Sequence, residues 1–593
     1  MLPTLFCFLV LSLLTSSCYA LSDYSEQLVL QPLVPASVLA SFNFRSNASQ
    51  SSYNQQHFQY FPRSLGQILQ HAHAKELHLR FSSGRWDAES WGNRPWNGTK
   101  EGGTGVEIWT WIDASSEEEA LMQWNTLNNA LAGLFCASMN FIDSTRTSRP
   151  LSTFEPLGNH NSGSNLHLFH GALTREVVCT ENLTPFLKLL PCKGKVGIAS
   201  LLDGHKLFDA TWQTMSIDVQ PVCPADQSGC VMEIEQTIDM VLDIDRSKRP
   251  RGDPIPRPLP DDRLICDQNR QYPDENSCYP LDLSAAQDLT LKDLFGRSIQ
   301  GSCLSPADST YPVCVAASNS LEVYTTNALA EYKATSGYLR CLALPEKDEF
   351  ELLIPKQDHA RFLPVSTPPI YVERSITGRG QERGGIRVLL RNPSPTHNVS
   401  FVYFEALPWF MKPYMHTLKT SIPNTIDEMY YRPGLDRKRG SQLELAITVP
   451  ANQILELSYD FEKAILRYTE YPPDANRGRD VAPAVIRIVN ATTNTSEHVG
   501  VAAYLRTTPL MLPLPTPDFS MPYNVIILTS TVIALAFGTI YNMLIRQFVG
   551  ADEATSEGLK GKIIVALVSV RNKIRDSLSP VATTGPEREK KNI

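Results

Sequence analysis

The sequence predicts a mainly β protein with some α-helix: β-sandwich-like lumenal domains followed by one C-terminal transmembrane helix. Three observations carry that expectation. Alternating apolar and polar runs, broken by Pro, Asn and Gly turns, fill the second half of the chain, among them GIRVLLRN, VSFVYFEAL, QLELAITV and QILELSYDF; their spacing suggests an antiparallel sandwich. The first half mixes such strands with amphipathic helix. One uncharged run, VIILTSTVIALAFGTIYNMLI at 525–545, stands near the carboxyl end.

Taken in order, residues 1–20 (MLPTLFCFLVLSLLTSSCYA) place an apolar run from Leu5 to Leu14 ahead of Ser17, Cys18 and Ala20. Small residues at that spacing offer the cleavage site of a signal peptide, so the mature chain is expected to start near Leu21. Residues 21–244 read as an N-terminal α+β domain. Within it, GVEIWTWID at 105–113 alternates Val106, Ile108, Thr110 and Ile112 against Glu107, Trp109 and Trp111, as a strand does. Ser116 and Glu119 form a capping box at the head of a helix whose first turn is acidic. Leu121, Trp124, Leu127, Leu131, Leu134 and Phe135 then return at helical spacing, and Cys136 is expected as a buried thiol at the end of that face.

Residues 245–265 are rich in proline and charge and read as a linker; they include the tripeptide Arg251-Gly252-Asp253. Residues 266–520 then form the β-sandwich-like domain. The run at 525–545 is long enough to cross a hydrocarbon core of roughly 30 Å at about 1.5 Å per residue. Arg546 follows it, and the tail 546–593 carries nine Lys or Arg against six acids, whereas the flank before the span holds Asp518 and no base after Arg506. That asymmetry puts the tail in the cytosol and the large N-terminal part in the lumen, a single-pass type I topology. Ile563, Ile564, Leu567, Val570 and Ile574 line one face in the tail; an interfacial amphipathic helix and a flexible tail both fit. Lys590 and Lys591 sit four and three places from the end, where they resemble a dilysine endoplasmic-reticulum retrieval signal or form a simple solvated cluster.

Composition narrows the function. A net charge of −8 with no clustered basic face in the large N-terminal part argues against a nucleic-acid partner. Ten cysteines lie between the signal and the span: Cys136, Cys179, Cys192, Cys223, Cys230, Cys266, Cys278, Cys303, Cys314 and Cys341. Disulfides are therefore expected in an oxidising compartment. Six N-glycosylation sequons, at Asn47, Asn97, Asn182, Asn398, Asn490 and Asn494, fall on the same side of the span. No stretch matches a catalytic motif, a phosphate loop or a dinucleotide fingerprint, so neither a catalytic set nor a cofactor is assigned. His71, His73 and His78 lack the spacing of a metal set, and no metal is expected there.

Five blocks carry a family resemblance: GLFCASMNFIDST (133–145), REVVCTENLTPFLKLLPC (175–192), ALPWFMKPYMHTL (406–418), FEKAILRYTEYPPDANRG (461–478) and LPTPDFSMPYNVI (514–526). Together they resemble the PIG-T family, the subunit of GPI transamidase that holds the catalytic subunit. No such block falls between Ile265 and Cys341. The resemblance implies a complex that removes the C-terminal signal of a proprotein and joins the new carboxyl end to a GPI glycolipid. It implies a non-catalytic role for this chain, with a thiol-protease-like catalytic subunit, multi-pass membrane subunits, GPI and proproteins as partners. It also implies that Cys179, in the CTENLTP block, forms a disulfide with the catalytic subunit; an internal Cys179–Cys192 bridge is the alternative. If Cys179 leaves the chain, Cys136 is the candidate free thiol. Cys223–Cys230, Cys266–Cys278 and Cys303–Cys314 then pair by proximity and Cys192–Cys341 are left over. In the span, Thr531, Gly538 and Asn542 fall at i, i+7 and i+11, a small and polar stripe below Asn524 at the boundary turn. It is expected to pack on multi-pass subunits or border the GPI site, or else to face lipid and its own backbone. Other classes that fit the topology are an endoplasmic-reticulum glycan or lipid hydrolase and a surface adhesion receptor using the Arg-Gly-Asp tripeptide.

Overall fold

The computed structural model describes residues 24–248, 288–356, 361–488, 502–545 and 559–577, with 264–266 and 278–280, apart from short gaps at 35, 161–162, 164, 175, 224–228, 305–310, 319, 326–327, 330–332, 337, 346–347, 379, 473, 475, 517 and 519. The signal segment, residues 249–263 of the expected linker, Asn490, Asn494, Lys590 and Lys591 lie outside the described residues. The architecture is mainly β with some helix, in two units: residues up to Pro515, and the segment from Thr516 onwards.

An eleven-stranded sheet organises the first unit. Its strands are β1 (Tyr24–Leu33), β2 (Ser37–Ser49), β3 (Ala74–Gly84), β4 (Gly105–Asp113), β5 (Thr147–Ser148), β6 (Leu166–Leu173), β7 (Trp212–Val222), β8 (Val231–Asp243), β9 (Val313–Ala316), β10 (Lys333–Ser336) and β11 (Leu339–Leu342). They lie in the order β10-β11-β9-β1-β2-β8-β7-β3-β4-β6-β5. All pairs are antiparallel except β1 with β9, where Leu28 stands opposite Val313. The period of two decides which residues share a face. Val38, Ala40, Phe42 and Phe44 of β2, with Leu77, Leu79 and Phe81 of β3, point to one side and are buried there.

Three helices cover that side: α1 (Arg63–His71), α2 (Glu117–Phe135) and α3 (Thr180–Leu189). The start of α2 follows its sequence, since Ser116 Oγ accepts a hydrogen bond from Glu119 N at 3.2 Å. Trp124, Leu127, Leu131 and Phe135 form its buried stripe. Trp124 stacks on Phe169 at 5.5 Å, and Phe135 meets Phe81 at 5.6 Å. Each such side chain contributes about 1.5–3 kcal/mol by leaving water.

The sandwich is built from β12 (Tyr371–Thr377), β13 (Arg383–Arg391), β14 (Val399–Leu407), β15 (Met411–Thr420), β16 (Ile426–Arg432), β17 (Ser441–Val449), β18 (Ile454–Lys463), β19 (Val485–Ile488) and β20 (Ala503–Arg506). Its two sheets run β12-β13-β18-β15 and β16-β17-β14-β19-β20. Val388, Leu390, Leu445, Ile447, Leu455 and Leu457 fill the space between them. The boundary expected at 245–265 does not coincide with the end of the first sheet. Residues 289–354 pack into the N-terminal core, and β9 and β11 extend its β1 edge. An open β1 edge would leave a row of unpaired backbone groups, which this later segment satisfies. The sandwich accordingly begins at Tyr371.

The second face of the large sheet is also covered. The side of β4 that alternates Glu107, Trp109 and Trp111 meets the sandwich: Trp109 stacks on Phe154 at 4.9 Å, and Phe154 packs on Phe404 and Tyr504. Gly98 makes this approach possible, because its φ is +73° and an added Cβ would lie 1.9 Å from Tyr504 O. The second unit contributes α4 (Ser520–Leu544), long and apolar enough to cross a membrane, and α5 (Leu559–Ser577). The helix α4 starts five residues before the run at 525–545, with Asp518 Oδ1 accepting from Ser520 N at 2.8 Å.

Candidate partner-binding site

Two cysteines with free thiols among the described residues, Cys136 and Cys179, stand at helix ends that one side chain joins. The arrangement follows from local chemistry. The helix α2 ends at Cys136, which adopts the left-handed conformation at φ 51° and donates its N–H to Ala132 O. The helix α3 begins after Cys179, held extended at φ −146°. Asn182, three residues on, joins the two ends: its Oδ1 accepts from Cys179 N at 2.9 Å and its Nδ2 donates to Phe135 O at 2.9 Å. Otherwise unsatisfied backbone groups of both helix ends are thereby satisfied by one side chain. Ser138 N donates to Glu176 Oε1 at 2.7 Å and ties the following loop to the approach into α3. Phe141 and Val177 stand exposed beside that tie, at 61 and 76 %.

Three expectations change here. Cys136 is exposed rather than buried, because the chain turns left-handed at that residue and lifts its side chain off the apolar stripe. Asn182 is only 1 % exposed, and the amide nitrogen that would carry a glycan is spent on Phe135 O, so its sequon is a structural staple. Cys192 pairs with Cys303 and Cys314 with Cys341, in place of Cys303–Cys314 and Cys192–Cys341. The sheet explains the exchange: Cys314 stands opposite Cys341 across β9 and β11, while a bridge between Gly197 and Gln300 draws the 192–197 loop to Cys303. Cys223 joins Cys230. Across a two-stranded pair, Cys266 stands opposite Cys278 in backbone register. Since Cys192 is taken, the internal Cys179–Cys192 bridge is not formed.

The model of the Gpi16 subunit family, described as a GPI transamidase component, matches residues 8–570. The chain is 38 % identical over 578 residues to the GPI transamidase component GPI16 of Saccharomyces cerevisiae, covering 93 % of both chains. It belongs to the Gpi16 family. The mouse and human GPI-anchor transamidase components PIGT are 32 and 31 % identical to it, each covering 91 % of this chain and 92 % of theirs.

Elsewhere in this Gpi16-family chain, the other expected site residues are dispersed. Asn398 is exposed, with Oδ1 accepting from Ala451 N, while Asn47 and Asn97 are half-buried, on β2 and in the Pro95–Gly98 turn. Along α4, Thr531 Oγ1 donates to Ile527 O at 2.7 Å, so its hydroxyl is spent within the helix; Gly538 has nothing within 4 Å of its missing Cβ. Asn524 and Asn542 are exposed on the same helix.

Sequence reasoning passed over a buried charged belt on the sandwich-facing side of β3, β4, β7 and β8. His78 lies between Asp218 Oδ1 at 2.5 Å and Glu76 Oε1 at 2.6 Å; Arg80 and Lys100 also bind Asp218. Burial alone would raise the Glu76 carboxyl, but hydrogen bonds from His160, His78 and Leu157 N hold it at about 2. Burial likewise opposes the charge of His78, yet Asp218 and Glu76 raise its pKa above the ordinary value. Glu107 binds Arg506 of β20 at 3.1 Å and joins the layers. The signal for this belt was the polar half of ELHLRF at 76–81, the half that an open sheet would turn to water.

Proposed function

We propose that this Gpi16-family chain is the non-catalytic scaffold subunit of GPI transamidase in the endoplasmic-reticulum membrane, joined through Cys179 to the thiol-protease-like catalytic subunit. The observation that carries the reading is the state of Cys179. It is a partly exposed free thiol at an ordered helix start, and its nearest cysteine in sequence, Cys192, is already bonded to Cys303. In an oxidising lumen such a thiol is available for a bridge between chains, and the bridge raises the partner's effective concentration. Exposed Val177 and Phe141 supply apolar surface around it. The helix α4 anchors the large unit, and Gly538 and Asn542 give it a small and polar face for multi-pass subunits or the GPI glycolipid. In this role the chain places proprotein and GPI beside the catalytic thiol of its partner, with no catalytic set of its own.

A non-reducing gel of the detergent-solubilised complex tests the reading. The expected result is a heavier band that contains the protease-like chain, collapses on reduction and is missing from Cys179→Ser, with the melting temperature of the variant within about 1 °C of the parent. A monomer band in every lane removes Cys179 from the interface.

A further inference from the structure

A cleft of about 870 Å³ opens between the β5 and β6 edge of the large sheet and one end of the sandwich. Its most basic wall is RPGLDRKRG at 432–440, the turn between β16 and β17. Two backbone hydrogen bonds between Leu435 and Arg439, at 2.9 and 3.0 Å, close that turn. Gly440 lets it be clamped in place, since an added Cβ would lie 2.5 Å from Leu407 O and 3.2 Å from Thr145 O. A rigid frame therefore holds arginines from both halves of the unit around one space.

Seven Arg or Lys and five Asp or Glu line the cleft. Four of the acids have their own duties. Glu117 pairs with Arg149, and Glu470 binds Arg437 and the backbone of Arg467. Glu176 accepts from Ser138 N, and Asp143 from Thr145. The fifth, Asp480, adjoins Arg479 in the chain. The guanidiniums are less well matched. The Arg432 guanidinium has no acceptor among the described residues, and Arg439, whose Nη2 donates to Pro433 O at 3.0 Å, keeps a buried Nε without one. Burial, and then the charge of Arg432, lower Arg149 and Arg439 below the ordinary arginine value, outweighing what Glu117 returns to either. Cations crowded into a half-dry space with spare N–H donors repel one another unless an anion joins them. A phosphate group suits them best, because its oxygens accept the paired donors of several planar guanidiniums at once.

We propose that this cleft binds a phosphate group through Arg149, Arg432 and Arg439, carried either by soluble phosphate or by the headgroup of a phosphoinositol glycolipid. The volume lies in the range of sites for sugar-sized ligands rather than single ions, which favours the headgroup. The phosphate site rests on the cleft, and the choice of headgroup rests on the transamidase reading; failure of the site leaves that reading, and the Cys179 gel, untouched.

The test is calorimetric titration of the detergent-solubilised full-length chain with inositol 1-phosphate, inorganic phosphate and neutral inositol. Saturable binding of inositol 1-phosphate is expected, at least tenfold tighter than inorganic phosphate, with no binding of inositol. The Arg432→Gln/Arg439→Gln double variant should weaken it at least tenfold, and the corresponding Lys pair should recover part of the loss. Equal affinity for both phosphates supports the site and assigns it to soluble phosphate. If the Gln pair melts below the parent, Arg432→Gln alone decides, because that side chain holds nothing in the fold. Absence of saturable binding by either phosphate, or affinity unchanged by the folded Gln variant, overturns the proposal.

Discussion

The two faces of the eleven-stranded sheet are cut from the same strands and are held by opposite chemistry. On the helix side, β3 presents Leu77, Leu79 and Phe81, and β7 presents Met215, Ile217 and Val219. On the sandwich side the alternate residues are Glu76, His78, Arg80 and Ser82, with Thr214, Ser216 and Asp218. Both sets are buried. The apolar face gains from leaving water whatever its partner, whereas the polar face gains only if each group finds a specific mate. The helix layer is thus a general core, and the sandwich junction is a keyed one.

The largest expected effect lies on the apolar face. Trp124→Ala removes a fully buried ring and the indole N–H that donates to Thr147 Oγ1 at 3.0 Å. Thermal or denaturant unfolding should show a loss of about 5 kcal/mol, the upper end of the usual range for such truncations. Next is the junction. Arg506→Ala leaves Glu107 charged and buried with only Gly103 N and His170 beside it, and should cost about 3 kcal/mol. Combining it with Glu107→Leu should recover most of that loss; a strictly additive double variant would contradict the keyed junction.

How much was legible follows the same division. The strand at 105–113 and the helix from Ser116 could be read because apolar period and capping are local signals. The polar alternates of ELHLRF could not be read as buried, since their partners His160 and Asp218 lie far along the chain. Cys223–Cys230, seven residues apart, was read correctly, whereas the pairing of Cys192, Cys303, Cys314 and Cys341 failed for the same reason. Cys192 and Cys303 are 111 residues apart, and the bridge of Gly197 to Gln300 helps bring them together. At the candidate site, CTENLTP gave Cys179 by resemblance, while the role of Asn182 needed the position of Phe135 O. The basic cleft was invisible to net charge because its arginines come from 146–149, 432–439 and 479.

Acid should separate the faces further. The Glu76 carboxyl sits at about 2 in the fold against an ordinary 4.5. A depressed carboxyl contributes stability above its unfolded value, and that stability is lost as pH falls through the folded one. Between pH 4.5 and 2 the parent should therefore lose on the order of 3 kcal/mol through this group. His78, raised by its two carboxylates, has the opposite sign: its contribution is complete below its unfolded value and fades as pH rises through the folded one. Melting curves of Glu76→Gln should begin lower at pH 5 and fall less steeply toward pH 2.5 than those of the parent. Parallel slopes would mean that another carboxylate governs the acid limb.

The smallest effect is the most discriminating. Ser216 Oγ and Thr237 Oγ1 meet at 2.5 Å in the middle of the polar face, where Thr237 is completely buried. Removing either hydroxyl leaves the other with its strongest partner missing, which costs about 1–2 kcal/mol. Removing both, as Ser216→Ala with Thr237→Val, leaves no orphan between them and keeps nearly the same shape. The double variant should therefore lie within about 1 kcal/mol of the parent, well above the sum of the two single losses. Such a coupling, measured by a double-mutant cycle, has no counterpart for Leu79→Ala with Ile217→Ala on the opposite face. There each truncation forfeits its own contacts and makes no polar orphan for the other to relieve, so the second loss adds to the first rather than cancelling it.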